Sequence, residues 1–303
     1  EINIIKSSDL ETGEFIENFK EKVNNSDTPD VQPYIWYGSY SSAWGDPANW
    51  STGEIPPEGE NVTIETKDDG NDPVLSSVIS LESITFKNNS TLTIASGGTL
   101  KIEKLSVTTA TNVEIINNSD IENCIISEIE ENDSNSTNYT FSNVKFSNIN
   151  GLGTSSYEIE FLTSGNITFK ECESNKNIKI NNSVFIENSF KGKDIECEKA
   201  TINGSIEGTE ITLGNTTITG NSKLKISESS TNGKITLKGD VFSTESKDLI
   251  LNGNVECICS QINLKEGALT VQGTFNATNN LEITGKTITF EESTSVNQEV
   301  IIK

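Results

Sequence analysis

The sequence predicts an all-β chain wound as a right-handed, single-stranded parallel β-helix, opened by an N-terminal helix and a Trp-rich cap. Three observations predict it. Short apolar-x-apolar pairs recur from Val74 onward, each bounded by Asn, Ser, Thr or Gly and each too short for a helix. All three tryptophans and all six prolines lie before residue 74, so the chain changes character there. Near the C-terminus Leu249, Val255, Ile262, Leu269, Phe275, Leu281 and Ile288 open successive strands about 6.5 residues apart. With three strands to a coil this gives ~20 residues per coil, within the range of parallel β-helices.

Three segments follow in order. Residues 1–35 read as a short strand at Ile2, Ile4 and Ile5, then a helix. The stretch Ser8-Asp9-Leu10-Glu11 has the form of a capping box, in which the Ser accepts from the Glu amide and the Glu reaches back. Phe15, Ile16, Phe19 and Val23 share one face, and Glu11, Glu14, Glu17 and Glu21 lie on the polar one. An acidic polar face fits a helix laid on the fold's end and not one lying on a membrane, which selects Lys and Arg.

Residues 36–73 hold Trp36, Trp44 and Trp50 among Gly38, Gly45, Gly53, Gly59, Pro47, Pro56 and Pro57. Bulky apolar plates, tight turns and withheld amide donors describe a segment that folds over an edge and does not pair onward. Residues 74–303 are the β-helix proper. Ile84/Phe86, Leu92/Ile94, Leu100/Ile102, Leu105/Val107 and Val113/Ile115 are its first inward pairs. About ten coils at ~4.8 Å each make a rod on the order of 50 Å long, and Val300-Ile301-Ile302-Lys303 reads as one more strand without a cap, so the natural chain is expected to continue. The start at Glu1 without Met likewise reads as part of something longer.

An antiparallel sandwich competes with this reading. Asn150-Gly151, Asn203-Gly204, Asn232-Gly233 and Asn252-Gly253 are the strongest short hairpin signal. Sandwich strands, however, run ~5–6 residues between turns set every 8–12, and the pairs here are shorter and closer. The spacing favours the β-helix.

Composition limits function. All 22 basic residues are lysines; the chain has no Arg, His or Met, and 45 acidic residues bring the net charge to −23. The usual general base at neutral pH and the usual bidentate anion clamp are therefore missing. The acidic field repels nucleic acid and anionic membranes. No apolar run approaches the ~20 residues that span a bilayer, and no signal peptide opens the sequence.

The tryptophan stretch carries a resemblance. Trp36-x-Gly38, Trp44, Asn49-Trp50, Gly53, Pro56, Gly59 and Val62-x-Ile64, then Asp72-Pro73-Val74-Leu75, resemble the opening module of secreted and cell-surface β-helix proteins of bacteria. That family includes adhesin-like and autotransporter-like passengers. Tyr37 stands where the family more often has a small residue. The motif Thr140-Phe141-Ser142-Asn143, with Phe146-Ser147-Asn148 and Val184-Phe185-Ile186-Glu187-Asn188, resembles chlamydial-type polymorphic outer-membrane passengers, with Phe stacking inward and Asn taking the turn. The resemblance implies a fold and an exported address at the cell surface more than an activity; a glycan or a host surface protein is the partner expected of such a rod.

The remaining motifs are expected to be structural. Val255, Cys257 and Cys259 alternate onto one strand face, where i and i+2 sit ~6.6 Å apart, so stacked thiols are expected and no bridge. Cys172 and Cys197 fall in neighbouring coils, where bridged and free forms are both open. Asp68, Asp69, Asn71 and Asp72 offer oxygens in a glycine turn as calcium uses them, but complete no EF-hand; a solvated turn is the expectation. Trp36, Tyr37, Tyr40 and Trp44 offer either a sugar-stacking platform or a cap, and the resemblance implies the cap. Sequons such as Asn49, Asn61, Asn166 and Asn203 arise readily in so Asn-rich a chain.

The sequence therefore names no catalytic, cofactor-binding or metal-ligating residue. It predicts a non-catalytic, exported surface rod, adhesin-like or passenger-like, acting as a monomer or as part of a longer chain. The alternatives are a carbohydrate-active β-helix enzyme and a passive surface-layer scaffold. Against the enzyme, Glu158/Glu160, Glu171/Glu173 and Glu196/Glu198 alternate about intervening residues as solvated strand faces do.

Overall fold

A computed structural model of the chain describes residues 33–130, 136–149, 158–228, 230–292, 294–296 and 299–303. Among them 27 strands form one sheet wound into a parallel β-solenoid of about 11 turns. The N-terminal strand and helix expected before Pro33 lie outside the described residues, as does Asn150-Gly151.

Stacking follows from strand period 2, which sends alternate side chains to one face. The inward pairs read from sequence are all buried, Ile84/Phe86, Leu92/Ile94 and Leu100/Ile102 completely so. Parallel register then lines them into columns one coil apart. Trp36 pairs with Ile64, Ile64 with Phe86, and Phe86 with Val107. A second column passes from Leu92 through Ile115, Phe141 and Phe169 to Ile186, Ile202 and Ile218. No coil buries its apolar face alone, and stacking supplies one continuous core.

Toward the C-terminus the coil has the expected length. Leu249 pairs with Leu269 and then Ile288, and Val255 with Phe275, and coil-to-coil bonds there join residues 20 apart, as from Thr274 to Asn254. Earlier coils differ. The span stretches at Lys145↔Glu173 and shrinks at Ala200↔Thr216, with parallel register kept at both.

Parallel pairing begins at Tyr34–Trp36, which pairs with Asn61–Ile64. The tryptophan stretch is thus wound into the stack, contrary to the expectation that it folds over an edge without pairing. The backbone amides explain it: Trp44 donates to the Val74 carbonyl at 3.0 Å and Val74 to that of Ser42 at 2.7 Å.

No Asn-Gly pair among the described residues makes a hairpin. Asn203-Gly204 lies inside the strand Asp194–Gly208, with Gly204 in parallel register beside Asn188. Gly204 and Gly253 both have φ of 143°, a conformation reserved for glycine, so these pairs bend a coil and do not reverse it as the competing sandwich would require.

The aromatic core is densest in the middle coils. Phe141 lies 5.9 Å from Phe169, and Phe169 4.7 Å from Phe190, ring centre to ring centre. The expected inward Phe holds at Phe141 and Phe146. It fails at Phe185, which is half-buried between the inward Val184 and Ile186, since alternation puts the middle residue of that triplet outside.

Candidate functional site

The tryptophans form a closed cluster. Trp36 stacks on Trp44 at 6.0 Å, and Trp50 meets Trp44 edge-on at 4.7 Å. All three are buried. The turn that aims Trp50 is built by Asp46, which caps the short helix Pro47–Asn49 by accepting from the Ala48 amide. Buried Asn49 holds the loop. Its Oδ1 accepts from the amides of Tyr40 and Ser41, and its Nδ2 donates to Ser41 Oγ and to the Ala43 carbonyl. Both atoms are fully used, which removes Asn49 as a glycosylation acceptor.

The sugar-stacking platform is therefore not assembled. Trp36 and Trp44 are interior, Tyr40 is 75% exposed, and Tyr37 lies under Lys67, whose Nζ is 4.5 Å from the ring centre.

The acidic turn at 68–72 is partly committed as well. Trp36 Nε1 donates to the Asn71 carbonyl at 3.0 Å, and Asn71 Nδ2 donates to that of Gly38 at 2.9 Å. The described residues hold no group of three or more metal-ligating side chains. Asp68 and Asp72 instead line an open cleft of about 620 Å³ with Thr66, Asn89, Thr109 and Thr111. A second hollow of about 300 Å³ shares Asp72 and Asn89 and continues over Asn112, Glu114, Asn138 and Thr140.

Hydrogen bonds between coils shape this cleft. Asn89 Oδ1 accepts from the Thr111 and Asn112 amides, at 2.7 and 2.9 Å, and from the Thr111 hydroxyl. Asn138 Nδ2 donates to Asn112 Oδ1 at 3.0 Å, while Asn138 Oδ1 accepts the Asn166 amide. Buried Ser90 and Thr66 share a hydroxyl bond beneath. Two lysines on the cleft face other groups: Lys67 covers Tyr37, and Lys87 reaches Glu65 at 3.3 Å. Sequence reading missed these side chains. Their signal is the recurrence of Asn-Asn or Thr-Asn just after an inward pair, at Asn88-Asn89 after Phe86 and at Thr111-Asn112 after Val107.

The cysteines require a correction. Cys257 and Cys259 are disulfide-bonded, with Cα atoms 5.4 Å apart, where stacked thiols were expected. The strand Asn254–Cys257 ends at Cys257, and the amides of Ile258 and Cys259 both donate to the Leu237 carbonyl. That bend pushes Ile258 outward and turns both cysteines inward at less than strand spacing. Cys172 and Cys197 are free and occupy different columns, since Cys172 pairs with Phe190 and Cys197 with Ile180 and Leu213. Burial pushes both thiols up to about 12 and raises Cys124 further.

The carboxylate pairs face outward about buried Ile159, Cys172 and Cys197. Glu160 accepts from Lys179 at 2.8 Å and from Asn181; those bonds hold it below the ordinary carboxylate range. The Glu171/Glu173 pair departs from plain alternation, because Glu171 sits at φ 55° where the register shifts between Lys170 and Cys172. Buried Lys176 donates to the Ser127 carbonyl, and desolvation lowers its pKa; it does not line the cleft.

Residues 35–150 match a family model described as a domain of unknown function, DUF8693, so the matched region contains both the tryptophan cluster and the cleft side chains. No curated protein and no solved structure matches the chain.

Proposed function

We propose that this chain is a non-catalytic, exported surface β-solenoid, adhesin-like or passenger-like, and that the cleft over its first coils is its binding surface. The observation that carries the reading is a polar cleft whose lining is fixed by bonds between coils, with Asn89 tying Thr111 and Asn112 in place. Side chains locked before a ligand arrives lose little freedom on binding. The resemblance of the Trp36–Leu75 stretch to the opening module of bacterial surface β-helix proteins supports the exported address. The Cys257–Cys259 bond adds support, since disulfides persist in oxidising compartments. No helix among the described residues is long and apolar enough to cross a membrane.

The test is an array of glycans and extracellular-matrix proteins probed with the purified chain, run with and without calcium, beside polysaccharide turnover assays. Saturable retention without turnover is the expected result. Turnover abolished by changing one carboxylate or one lysine would replace this reading with the carbohydrate-active one.

A further inference from the structure

We infer that the cleft takes a linear, electrically neutral glycan laid along the stacking direction of the coils; the inference rests on reading the cleft as the binding surface. Direction comes from register. Thr91 pairs with Glu114 and Glu114 with Thr140, while Asn112 pairs with Asn138, so the outer wall of the second hollow is two polar columns crossing successive coils. Columns rise ~4.8 Å per coil, and a polymer lying along them meets a fresh hydroxyl, amide or carboxylate at each step. The two hollows share Asp72 and Asn89, which makes the site longer than one sugar ring. The larger alone is within the ~300–1,000 Å³ of small-ligand clefts.

Ligand class comes from the lining. Hydroxyls, amides and carboxylates dominate it, and the exposed large apolar side chains, such as Tyr40, Val78 and Phe242, all lie elsewhere. A lipid or an apolar peptide finds no partner surface there. A polyhydroxylated chain finds acceptors in Asp68, Asp72 and Glu114. Neutrality follows from charge: those three carboxylates stand in a field of −23 and outnumber the lysines of the lining, of which Lys87 is paired with Glu65 and Lys67 lies over Tyr37 with its charge retained. A uronate or sulfated polymer would bring like charge against those carboxylates, at a cost that rises as the cleft is desolvated.

The experiment is titration calorimetry of the chain with hexasaccharides of glucose, mannose, xylose and N-acetylglucosamine, with a galacturonate hexamer and the matching neutral trimers. At least one neutral hexamer is expected to bind, tenfold or more tighter than its trimer and than the uronate. Asp72 makes no hydrogen bond among the described residues, so Asp72→Ala should keep the melting temperature and weaken binding at least tenfold. Glu114→Gln, which keeps shape, should also weaken it, and the distant Glu210→Ala should not. Equal binding of the uronate, or neutral binding unchanged in both cleft variants, would overturn the inference. If every hexamer is silent while a matrix protein is retained on the array, the glycan inference falls and the adhesive reading stands. Silence in both removes both.

Discussion

Asn117 and Asn143 clasp each other across one coil: Asn117 Nδ2 donates to the Asn143 carbonyl at 2.9 Å, and Asn143 Nδ2 returns a bond to the Asn117 carbonyl at 3.3 Å. Asn143 also donates to the Ser119 carbonyl at 2.7 Å and sits at φ 57°. It therefore satisfies two acceptors from a backbone conformation that Asn tolerates better than other side chains. Asn143→Ala should cost roughly 2–4 kcal/mol, from the left-handed strain and the carbonyls left without donors. Hydrogen exchange should speed up around residues 117–120 before it does in the C-terminal coils, because coils contact only their neighbours. Uniform protection in the variant would refute the clasp.

The tryptophan cluster makes the second prediction. Trp44→Ala should lower stability by about 3–5 kcal/mol through the cavity it leaves, and should affect ligand retention only by unfolding the first coils. Tyr40→Ala, at an exposed position, should stay within about 0.5 kcal/mol of the parent. Denaturant midpoints separate the two. A stable Trp44→Ala protein that loses glycan binding would restore the stacking platform.

The thiols give a pH dependence. Cys172 and Cys197 rise from 9.0 to about 12 in the folded chain, so above pH 9 the unfolded chain releases protons that the folded one retains. Stability supplied by keeping these thiols neutral is complete below about pH 9 and falls as pH climbs toward 12. Iodoacetamide at pH 8 should leave Cys124, Cys172 and Cys197 unlabelled in the native protein and label them in denaturant. Rapid native labelling would show that these columns open.

Thiol counting tests the bridge. In denaturant without reductant three thiols should react, and five after reduction. The loop between Cys257 and Cys259 is so short that the chain-entropy account gives the bond only about 1–2 kcal/mol. The Cys257→Ala, Cys259→Ala double variant should therefore remain folded with a slightly lower melting temperature. Five reactive thiols before reduction would exclude the bond.

Much of the fold was legible in sequence because strand alternation is local. Ile84-x-Phe86 needs no knowledge of its neighbours to face inward, and the even spacing from Leu249 to Ile288 carries the coil length with it. Phe185 was misread for the same reason: a motif was matched where the period of two, set by Val184 and Ile186, decides the face.

What only the tertiary structure decided lies at the corners. A corner is fixed by what the adjacent coil offers, as when the Leu237 carbonyl takes two successive amides and bends Cys257 toward Cys259, or when Asn89 gathers Thr111 and Asn112 from the next coil. The cleft combines Asp72, Asn89, Thr111 and Asn138, successive members of which lie 17, 22 and 27 residues apart in sequence. Sequence alone set the inward columns, since side-chain direction along a strand follows from backbone geometry. Stacking set the cleft, since parallel register brings together residues that no local pattern relates.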